Sequence, residues 1–441
     1  MSEHEQDDAV RTRKPRVAVV FGGRSSEHAI SCATAGSVLR AIDPERYDVV
    51  PVGITREGRW VLESADPDRL AITSRDRLPE VDPSRATVAL AQQDSHSEIV
   101  VHEPSAVPRT LGEVDAVFPL LHGPFGEDGT LQGLLEMAGV RYVGAGVLAS
   151  AVGMDKHYMK LVLQAHGLPV LPYTVVTARA WERDRGAAME TVDSLGYPVF
   201  VKPCRGGSSI GISKVHGRDG LADAIEEAAR HDPKVLVEVA AEGGREVECG
   251  VIQGFGDNPA DASVVAEIVV DPEHEFYDFA AKYLPEENTA LTVPADLPDP
   301  LTRRIQELSV QAFEVLSVEG LARVDFFVLP DERVVINEIN TMPGFTPSSM
   351  FPRMWDATGL AYPELVDRLI QLALQRDTGL RCPGAALVRP RPPSAAVTGT
   401  AAPSGASTSR RARGRPSPWP GGSSPRGRAP RRTPTGRPWS S

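Results

Sequence analysis

The chain has 441 residues, which is enough for two or three domains with sizeable cores. With 41% hydrophobic and 24% charged residues, its composition is that of an ordinary soluble protein, and no stretch approaches the roughly 18 consecutive apolar residues of a membrane span. The acidic start, MSEHEQDDAV, contains no apolar signal core, so we expect a cytoplasmic protein without membrane contact. Its four cysteines form no CxxC pair, which argues against a zinc site or a disulfide framework.

Strands and helices are predicted to alternate over the first 145 residues. RVAVVFGG at 16–23 is typical of a buried strand that runs into a glycine-rich turn, and the residues that follow have helical spacing. Further buried strands are predicted at 47–54, 114–123 and 140–146, and a helix at 126–137. Residues 62–113 look irregular and polar. The alternation predicts an α/β domain with a parallel sheet.

Two further blocks follow this region. The second contains a predicted helix at 149–167, two strands around a glycine-rich loop at 197–215 and a strand at 235–240. The third contains predicted strands at 245–252 and 263–270, a helix at 297–318, a pair of strands and a last helix at 362–377.

The residues from 381 onward differ from the rest in charge. They contain twelve arginines, no lysine and no acidic residue, so they carry +12 while the preceding residues carry −24. Their richness in Pro, Gly, Ser and Arg predicts a disordered tail. Such a tail could bind nucleic acid through its arginines. We favour the alternative, an appendage without a selected role, and therefore expect no nucleic-acid partner.

A predicted hairpin near the end of the third block carries oxygen ligands. ARVDFFVL at 322–329 and VVINEIN at 334–340 flank the short polar turn PDER. Pairing of residue 329 with 334 would bring four polar side chains onto one face, namely Arg323, Asp325, Glu338 and Asn340. Asn337 and Ile339 are expected on the other face.

Two carboxylates and an amide oxygen on one face suit Mg²⁺, which prefers oxygen ligands. A structural ion-pair network, or a polar strand edge in contact with water, is the alternative for this face.

The loop CRGGSSIG at 204–211 predicts a phosphate cradle. Its glycines allow backbone N–H groups to approach a ligand closely, and Lys202 adds a positive charge just before it. A plain turn is the alternative. It is not a Walker A loop, because the chain contains no Gly-Lys pair. GAGVLA at 144–149 fits a dinucleotide fingerprint, but no acidic residue follows about 20 positions later, so no Rossmann cofactor is expected.

Glu27 and His122 each follow a predicted buried strand. Ligands of α/β sheets bind at the carboxyl ends of strands, so both residues are candidates for substrate contact. A purely structural histidine, and a carboxylate that only complements the helix dipole, are the alternatives.

Seven motifs in chain order closely resemble the D-alanine:D-alanine ligases, a family of the ATP-grasp superfamily. They are FGGRSSEH, HGPFGEDGTLQG, MDK, VKPCRGGSSIG, AKY, ARVDFF and NEINTMPGFTPSS, and they cover roughly residues 16–378. The resemblance implies an α/β, three-domain ATP-grasp architecture that ligates two D-alanines through an acylphosphate for peptidoglycan synthesis. The expected parts are a flexible N-terminus (1–15), an N-terminal substrate domain (16–144), a central ATP-grasp subdomain (145–238), a C-terminal catalytic domain (239–380) and the disordered basic tail (381–441).

The resemblance also implies how ATP is bound between the last two domains. Lys156 and Lys202 would contact the nucleotide phosphates, and Lys282 would reach the γ-phosphate. Glu238 would lie near the adenine, and Glu246 would hold the ribose.

Metal and oxyanion contacts are implied on the predicted hairpin and just after it. Asp325, Glu338 and Asn340 would hold two Mg²⁺ ions, which Mn²⁺ could replace. Arg323 and the backbone of Gly344 would stabilise the tetrahedral oxyanion.

The same resemblance implies the substrate contacts. Glu27 would bind the ammonium group of the first D-alanine, with His122 nearby, and Ser349 would receive the carboxylate of the second. Ser208 and Tyr283 would join Glu27 in closing the site against water. A tyrosine in the AKY motif favours an amine acceptor and hence D-alanine, with D-serine or D-lactate as the alternative acceptors. Related ligases are commonly dimers, so a homodimer is expected.

Overall fold

The structure is a computed structural model that describes residues 13–72, 78–93, 96–103, 106–207, 209–270 and 289–377. All of these belong to the first of two units, residues 1–383, and the second, 384–441, contains none of them. The predicted tail at 381–441 and most of the predicted flexible start therefore lie outside the described residues.

The first part of the chain folds as a mixed sheet. Its described elements are β1 (Arg16–Gly22), α1 (His28–Ala41), β2 (Asp48–Ile54), β3 (Trp60–Leu62), β4 (Thr87–Gln93), β5 (His96–His102), β6 (Arg109–Glu113), β7 (Ala116–Pro119), α2 (Thr130–Met137) and β8 (Arg141–Tyr142). The strand order is β6-β5-β4-β3-β2-β1-β7-β8. The neighbours β2, β1, β7 and β8 pair in parallel, which confirms the predicted parallel sheet. Their carboxyl ends meet along one edge.

Residues 62–113 depart from the prediction of irregular structure. They contain β4, β5 and β6, which extend the sheet by antiparallel pairing. These strands bury one face only: Val88, Ile99 and Val101 belong to a buried cluster, while their neighbours along each strand are half-buried or exposed. The prediction was wrong because short one-sided strands have a polar average composition. The predicted strand at 140–146 is reduced to the two residues of β8.

A four-stranded antiparallel sheet forms the second part of the chain. Its elements are α3 (Val147–Met154), α4 (Lys156–Ala165), β9 (Tyr173–Thr177), α5 (Ala178–Arg183), α6 (Arg185–Asp193), β10 (Val199–Pro203), β11 (Ser213–Val215), α7 (Leu221–Ala229) and β12 (Lys234–Val239). The strand order is β11-β10-β12-β9. The glycine-rich loop joins β10 to β11, as predicted.

The single helix predicted at 149–167 is two helices that meet at Asp155. This residue is extended, and its carboxylate accepts hydrogen bonds from the backbone N–H groups of His157 and Tyr158. Asp155 therefore caps α4 and places Lys156 in its first turn. The Lys156 N–H donates to the carbonyl of Cys204, which ties the start of α4 to the glycine-rich loop.

The third part is a five-stranded antiparallel sheet followed by two helices. Its described elements are β13 (Arg245–Ile252), β14 (Asp261–Val270), β15 (Thr289–Thr292), α8 (Asp299–Val315), β16 (Leu321–Val328), β17 (Val334–Asn340), α9 (Met350–Thr358) and α10 (Tyr362–Gln375). The strand order is β15-β14-β13-β16-β17. Within the described ranges, no helix is long and apolar enough to cross a membrane.

One buried cluster joins the first sheet to the end of the described chain. Phe118 on β7 meets Phe345 edge-on, with ring centroids 5.9 Å apart, and Phe345 in turn contacts Phe351 on α9 and Tyr362 on α10. Phe345 is fully buried. The loop that follows β17 is thereby fixed against the sheet that carries Glu27 and His122.

Candidate active site

The β16–β17 hairpin presents the predicted polar face. Asp325 lies opposite Glu338, and Arg323 lies opposite Asn340. The pairing at the turn was predicted wrongly: Val328, rather than residue 329, pairs with Val334. A β-bulge between the turn and Asp325 restores the predicted partners at the polar end.

The bulge also moves Asn337 from its predicted side. Ile336 and Ile339 both belong to one buried cluster, although a regular strand would place residues three apart on opposite faces. The extra residue makes both burials possible, and Asn337 lines the same cavity as Glu338. The spacing of the two isoleucines was the sequence signal for the bulge.

Cations already compensate the carboxylates of this face. Arg323 donates from Nε and Nη2 to both oxygens of Asp325, each at 2.7 Å, and its Nη2 lies 3.1 Å from an oxygen of Glu248. The Lys156 Nζ lies 2.8 Å from Glu338. Burial alone would lower the pKa of Arg323 and of Lys156, but the neighbouring carboxylates outweigh it and raise both pKa values. Both side chains are therefore held as cations.

The donor set of the face fits Mg²⁺. Asn340 donates from Nδ2 to Asp325 at 2.8 Å, which leaves its amide oxygen as the potential metal ligand beside two carboxylates. In the described part of the chain, no three His, Cys, Asp or Glu side chains form a ready metal cage. A metal here would therefore rely on Asp325, Glu338, the Asn340 oxygen and ligands from substrate and water, and would compete with Arg323 and Lys156 for the carboxylates.

A cavity beside this face, here called the first cavity, draws on all three parts of the chain. It encloses about 1090 Å³ of empty space, open solvent included. The predicted site residues that line it are Glu27, His122, Lys156, Arg323, Glu338, Asn340, Gly344 and Ser349. Residues far apart in sequence are thus brought to one place.

His122 and Glu27 form a hydrogen-bond-accepting corner of the first cavity. The Nδ1 of His122 lies 3.2 Å from the carbonyl oxygen of Met342, and because a carbonyl only accepts, this nitrogen carries the proton. Burial lowers the pKa of His122, although the charge of Glu27 opposes this. The imidazole is therefore neutral near pH 7, and its Nε2 is an acceptor that has no hydrogen-bond partner among the described residues. This corner suits a donor such as an ammonium group.

Glu127 is a residue of the first cavity whose role the sequence did not indicate. Its carboxyl oxygens accept from the N–H of Gly123 at 2.7 Å and from the N–H of Met342 at 3.2 Å, so it joins the loop after β7 to the loop after β17. Burial, together with the charge of Glu27, raises the pKa of Glu127 to about 8. The signal was its place between two glycines in GEDG.

A second cavity lies between the second and third sheets. It encloses about 1220 Å³ of empty space, and it shares Lys156, Gly206, Gly207 and Glu338 with the first cavity. Lys202, Glu238 and Glu246 line it as well, beside the apolar side chains of Leu171, Phe200 and Phe327, which the sequence reasoning missed. A cavity that combines apolar side chains with convergent charged groups suits a small molecule that has both an apolar ring and charged groups.

Glu238 sits between two lysines in the wall of the second cavity. Lys202 donates to one carboxylate oxygen, and the Nζ of Lys160, one turn after Lys156 on α4, lies 2.9 Å from the other. Burial by itself would raise the pKa of Glu238, but the two lysines outweigh it and lower the pKa to about 2. Glu238 is therefore an anion at any physiological pH.

Ser349 and Gly344 lie in the loop between β17 and α9. Ser349 is the N-cap position of α9, and its Oγ accepts from the N–H of Thr346 at 3.1 Å. The first-turn N–H groups of a helix have no intrahelical acceptor, so this end of α9 favours a carboxylate.

Three predicted site residues, Ser208, Lys282 and Tyr283, lie outside the described residues. Their predicted roles in closing the site stay predictions.

Models of one family match most of the chain. "D-ala D-ala ligase N-terminus" matches residues 16–145, and "D-ala D-ala ligase C-terminus" matches residues 162–371. A D-alanine–D-alanine ligase of Arthrobacter sp. is 59% identical over 369 residues, which is 83% of this chain and 96% of the relative. One from Streptomyces coelicolor is 59% identical over 385 residues, or 86% of this chain and 97% of the relative.

Solved structures agree with these matches. The D-alanine-D-alanine ligase from Coxiella burnetii is 35% identical with a TM-score of 0.68, over 82% of this chain and 94% of that one. A D-Ala:D-Ser ligase from Enterococcus faecalis is also 35% identical, with a TM-score of 0.70, over 82% of this chain and 100% of that one. The chain therefore belongs to the D-alanine–D-alanine ligase family.

Proposed function

We propose that the chain joins two D-alanine molecules into D-alanyl-D-alanine, the precursor dipeptide of peptidoglycan, while ATP becomes ADP and phosphate. Relatives that are 57–59% identical carry this activity in their names. The observation that carries the proposal is the first cavity, where Glu27, Lys156, Arg323 and Glu338 converge from separate parts of the chain.

ATP would occupy the second cavity. The apolar walls at Leu171, Phe200 and Phe327 suit the adenine, with Glu238 nearby, and Glu246 lies where it could hold the ribose. The triphosphate would then extend past the glycine-rich loop toward the wall that both cavities share. Lys156 donates to the Gly206 carbonyl at 3.1 Å in that wall, close to the proposed path of the phosphates.

The first step would transfer the γ-phosphoryl group. A carboxylate oxygen of the first D-alanine forms a bond to the γ-phosphorus, and the bond between this phosphorus and ADP breaks, with its electron pair going to ADP. The product is D-alanyl phosphate. Two Mg²⁺ ions held by Asp325, Glu338 and Asn340 would supply neutralisation of the phosphoryl charge, and Lys156 and Lys202 would add to it.

The first D-alanine would be held by its ammonium group. Glu27 and the neutral His122 Nε2 both accept hydrogen bonds, and both lie in the wall of the first cavity. Held in this way, the substrate would direct its carboxylate toward the wall that the two cavities share, where the phosphates are proposed to lie.

The second step would form the peptide bond. The neutral amine of the second D-alanine attacks the acyl carbon, and the C–O bond to phosphate breaks with its electron pair going to phosphate. The amine nitrogen loses one proton, which the leaving phosphate would accept. Arg323 and the Gly344 N–H would stabilise the oxyanion, and Ser349 with the start of α9 would receive the second carboxylate. Since Arg323 is held between Asp325 and Glu248, it would need little reorganisation.

We also propose the closing residues and the assembly that the family resemblance implies. Ser208, Lys282 and Tyr283 would cover the acylphosphate and exclude water, and Tyr283 would favour D-alanine over D-lactate as the acceptor.

The enzyme would act as a cytoplasmic homodimer. Sedimentation of the full chain at micromolar concentration tests the dimer, and a single monomeric species would contradict it.

Isotope transfer tests the proposed chemistry. D-alanine labelled with ¹⁸O in its carboxylate should deliver one ¹⁸O atom to each released phosphate, because the bridging oxygen of the acylphosphate leaves with phosphorus. Unlabelled phosphate, released together with dipeptide, would contradict the acylphosphate. Release without any dipeptide would contradict the ligase function itself.

A further inference from the structure

Lys160 is a buried lysine that the proposed reaction leaves without a role. It is 1% exposed, and its Nζ pairs at 2.9 Å with Glu238, which is also 1% exposed. Burial lowers the pKa of Lys160, and the charge of Lys202 lowers it further, while Glu238 opposes both. A cation buried at this cost calls for a role other than packing.

The partner of Lys160 also holds a proposed phosphate ligand. Glu238 spans β10 and α4 by accepting from Lys202 through one oxygen and pairing with Lys160 through the other. In this arrangement, the charge of Lys202 is therefore neutralised by Glu238. To serve a phosphate, it has to share or give up that contact.

Without a second cation, the release of Lys202 would be costly. Glu238 would then be a buried anion with no compensating charge, which is strongly unfavourable. Lys202 would therefore stay paired with Glu238 and would not reach the phosphates. Lys160 removes this conflict because it stays with Glu238, anchored on α4, whichever partner Lys202 takes. Lys156, on the same face of α4, faces Glu338 and does not substitute for it.

We propose that Lys160 is a positioning residue for ATP, which neutralises Glu238 so that Lys202 can turn to the nucleotide phosphates. The proposal rests on the proposed use of ATP in the second cavity. It predicts that Lys160 matters for ligands with phosphates and has little effect on the nucleoside part alone.

The test compares ATP and adenosine binding by titration calorimetry on the full chain. The wild-type chain should bind both, and failure to bind ATP would overturn the proposed function rather than the role of Lys160. In Lys160→Met, the Kd for ATP should rise by roughly tenfold or more, the equivalent of about one charge-assisted hydrogen bond, while the Kd for adenosine changes less than about twofold. Equal losses for both ligands, or no loss for ATP, would overturn the proposal.

A double variant keeps the test decisive if Lys160→Met does not fold. Lys160→Met with Glu238→Gln removes both buried charges together, which is tolerated better than the removal of one. Because Lys202 is then released, the ratio of the ATP and adenosine affinities should return to the wild-type value or exceed it. A ratio that falls below the wild-type value would overturn the proposal. Leu163→Met, a volume-conserving change in the same helix, is the matched control and should leave the ratio unchanged.

Discussion

Asp325 and Glu338 lie directly opposite each other on β16 and β17, and each carboxylate is paired with a cation that also belongs to the proposed site. Arg323 holds Asp325 through two hydrogen bonds of 2.7 Å, and Lys156 holds Glu338 at 2.8 Å. In the proposed reaction, the same cations would turn to phosphate or to the oxyanion once metals take the carboxylates. Ligand binding would therefore exchange partners within a charge-balanced set instead of creating new buried charge.

Removal of either carboxylate should abolish turnover. Asp325→Ala and Glu338→Ala are each expected to lower D-alanine-dependent phosphate release by about 10³-fold or more, because the transferring phosphoryl group loses its charge compensation. The measurement is a coupled phosphate-release assay, with folding checked by circular dichroism.

The hairpin offers its own control. Asp331 lies in the turn of the same β16–β17 hairpin, where it pairs with the exposed Arg333. Asp331→Ala should keep near-normal turnover. Near-normal turnover in Asp325→Ala or in Glu338→Ala would contradict the assignment of the metal face.

Glu27 should act on the affinity for the first D-alanine. Glu27→Gln keeps the shape but removes the charge that is proposed to face the ammonium group, so KM for the first D-alanine should rise by roughly tenfold or more, the loss of about one charge-assisted hydrogen bond. Initial rates over a range of D-alanine concentrations measure this. The exposed Glu182→Gln is the control, and an unchanged KM in Glu27→Gln would remove Glu27 from the substrate site.

Glu127 should make stability depend on pH. Its pKa of about 8 in the folded chain is higher than the ordinary value of 4.5, so between these values the folded state holds a proton that the unfolded state has lost. The contribution of this proton to the free energy of unfolding is fully present below about pH 4.5. It is lost as pH rises toward 8, by at most about 1.4 kcal/mol per pH unit.

Glu127→Gln imitates the protonated carboxyl and should not show this loss. Thermal melts of both chains from pH 5 to 9 should show Tm of the variant rising relative to the wild type as pH increases. A constant difference in Tm over this range would contradict the raised pKa.

Phe345 should stabilise both the fold and the site. It is fully buried among Phe118, Phe351 and Tyr362, so Phe345→Ala should cost about 3–5 kcal/mol of unfolding free energy. Urea unfolding measures the cost, with Phe255→Ala as a control at 37% exposure, where less than about 1 kcal/mol is expected. A cost below 1 kcal/mol for Phe345→Ala would show that this cluster does not fix the loop.

Some of the architecture follows from local sequence patterns. Buried hydrophobic runs such as Val17–Phe21 predicted the parallel strands, and the polar alternation of β16 and β17 predicted which side chains face each other. Four short antiparallel strands between residues 60 and 113 were largely missed, because most of their described residues are only half-buried or exposed, which weakens the hydrophobic pattern. The break between α3 and α4 was missed because helical spacing continues on both sides of Asp155, and this spacing hid its role as the N-cap of α4.

Other features depend on contacts between distant parts of the chain. The bulge at Asn337 lets Ile336 and Ile339 both reach one buried cluster. The spacing of the two isoleucines signals an irregularity only when both are known to be buried, and a local pattern does not show which face the core covers. Glu127 and Lys160 bind groups more than 70 positions away in sequence, at Met342 and Glu238. Only the fold brings such partners together.

The most direct test of the central claim is product analysis with the full chain, ATP and Mg²⁺. Mass spectrometry should find D-alanyl-D-alanine, in step with phosphate release, when D-alanine is the only amino acid, and no product with L-alanine. When D-serine or D-lactate competes with D-alanine, D-alanyl-D-alanine should remain the main product. Absence of dipeptide with D-alanine, or a mixed product in excess, would contradict the account.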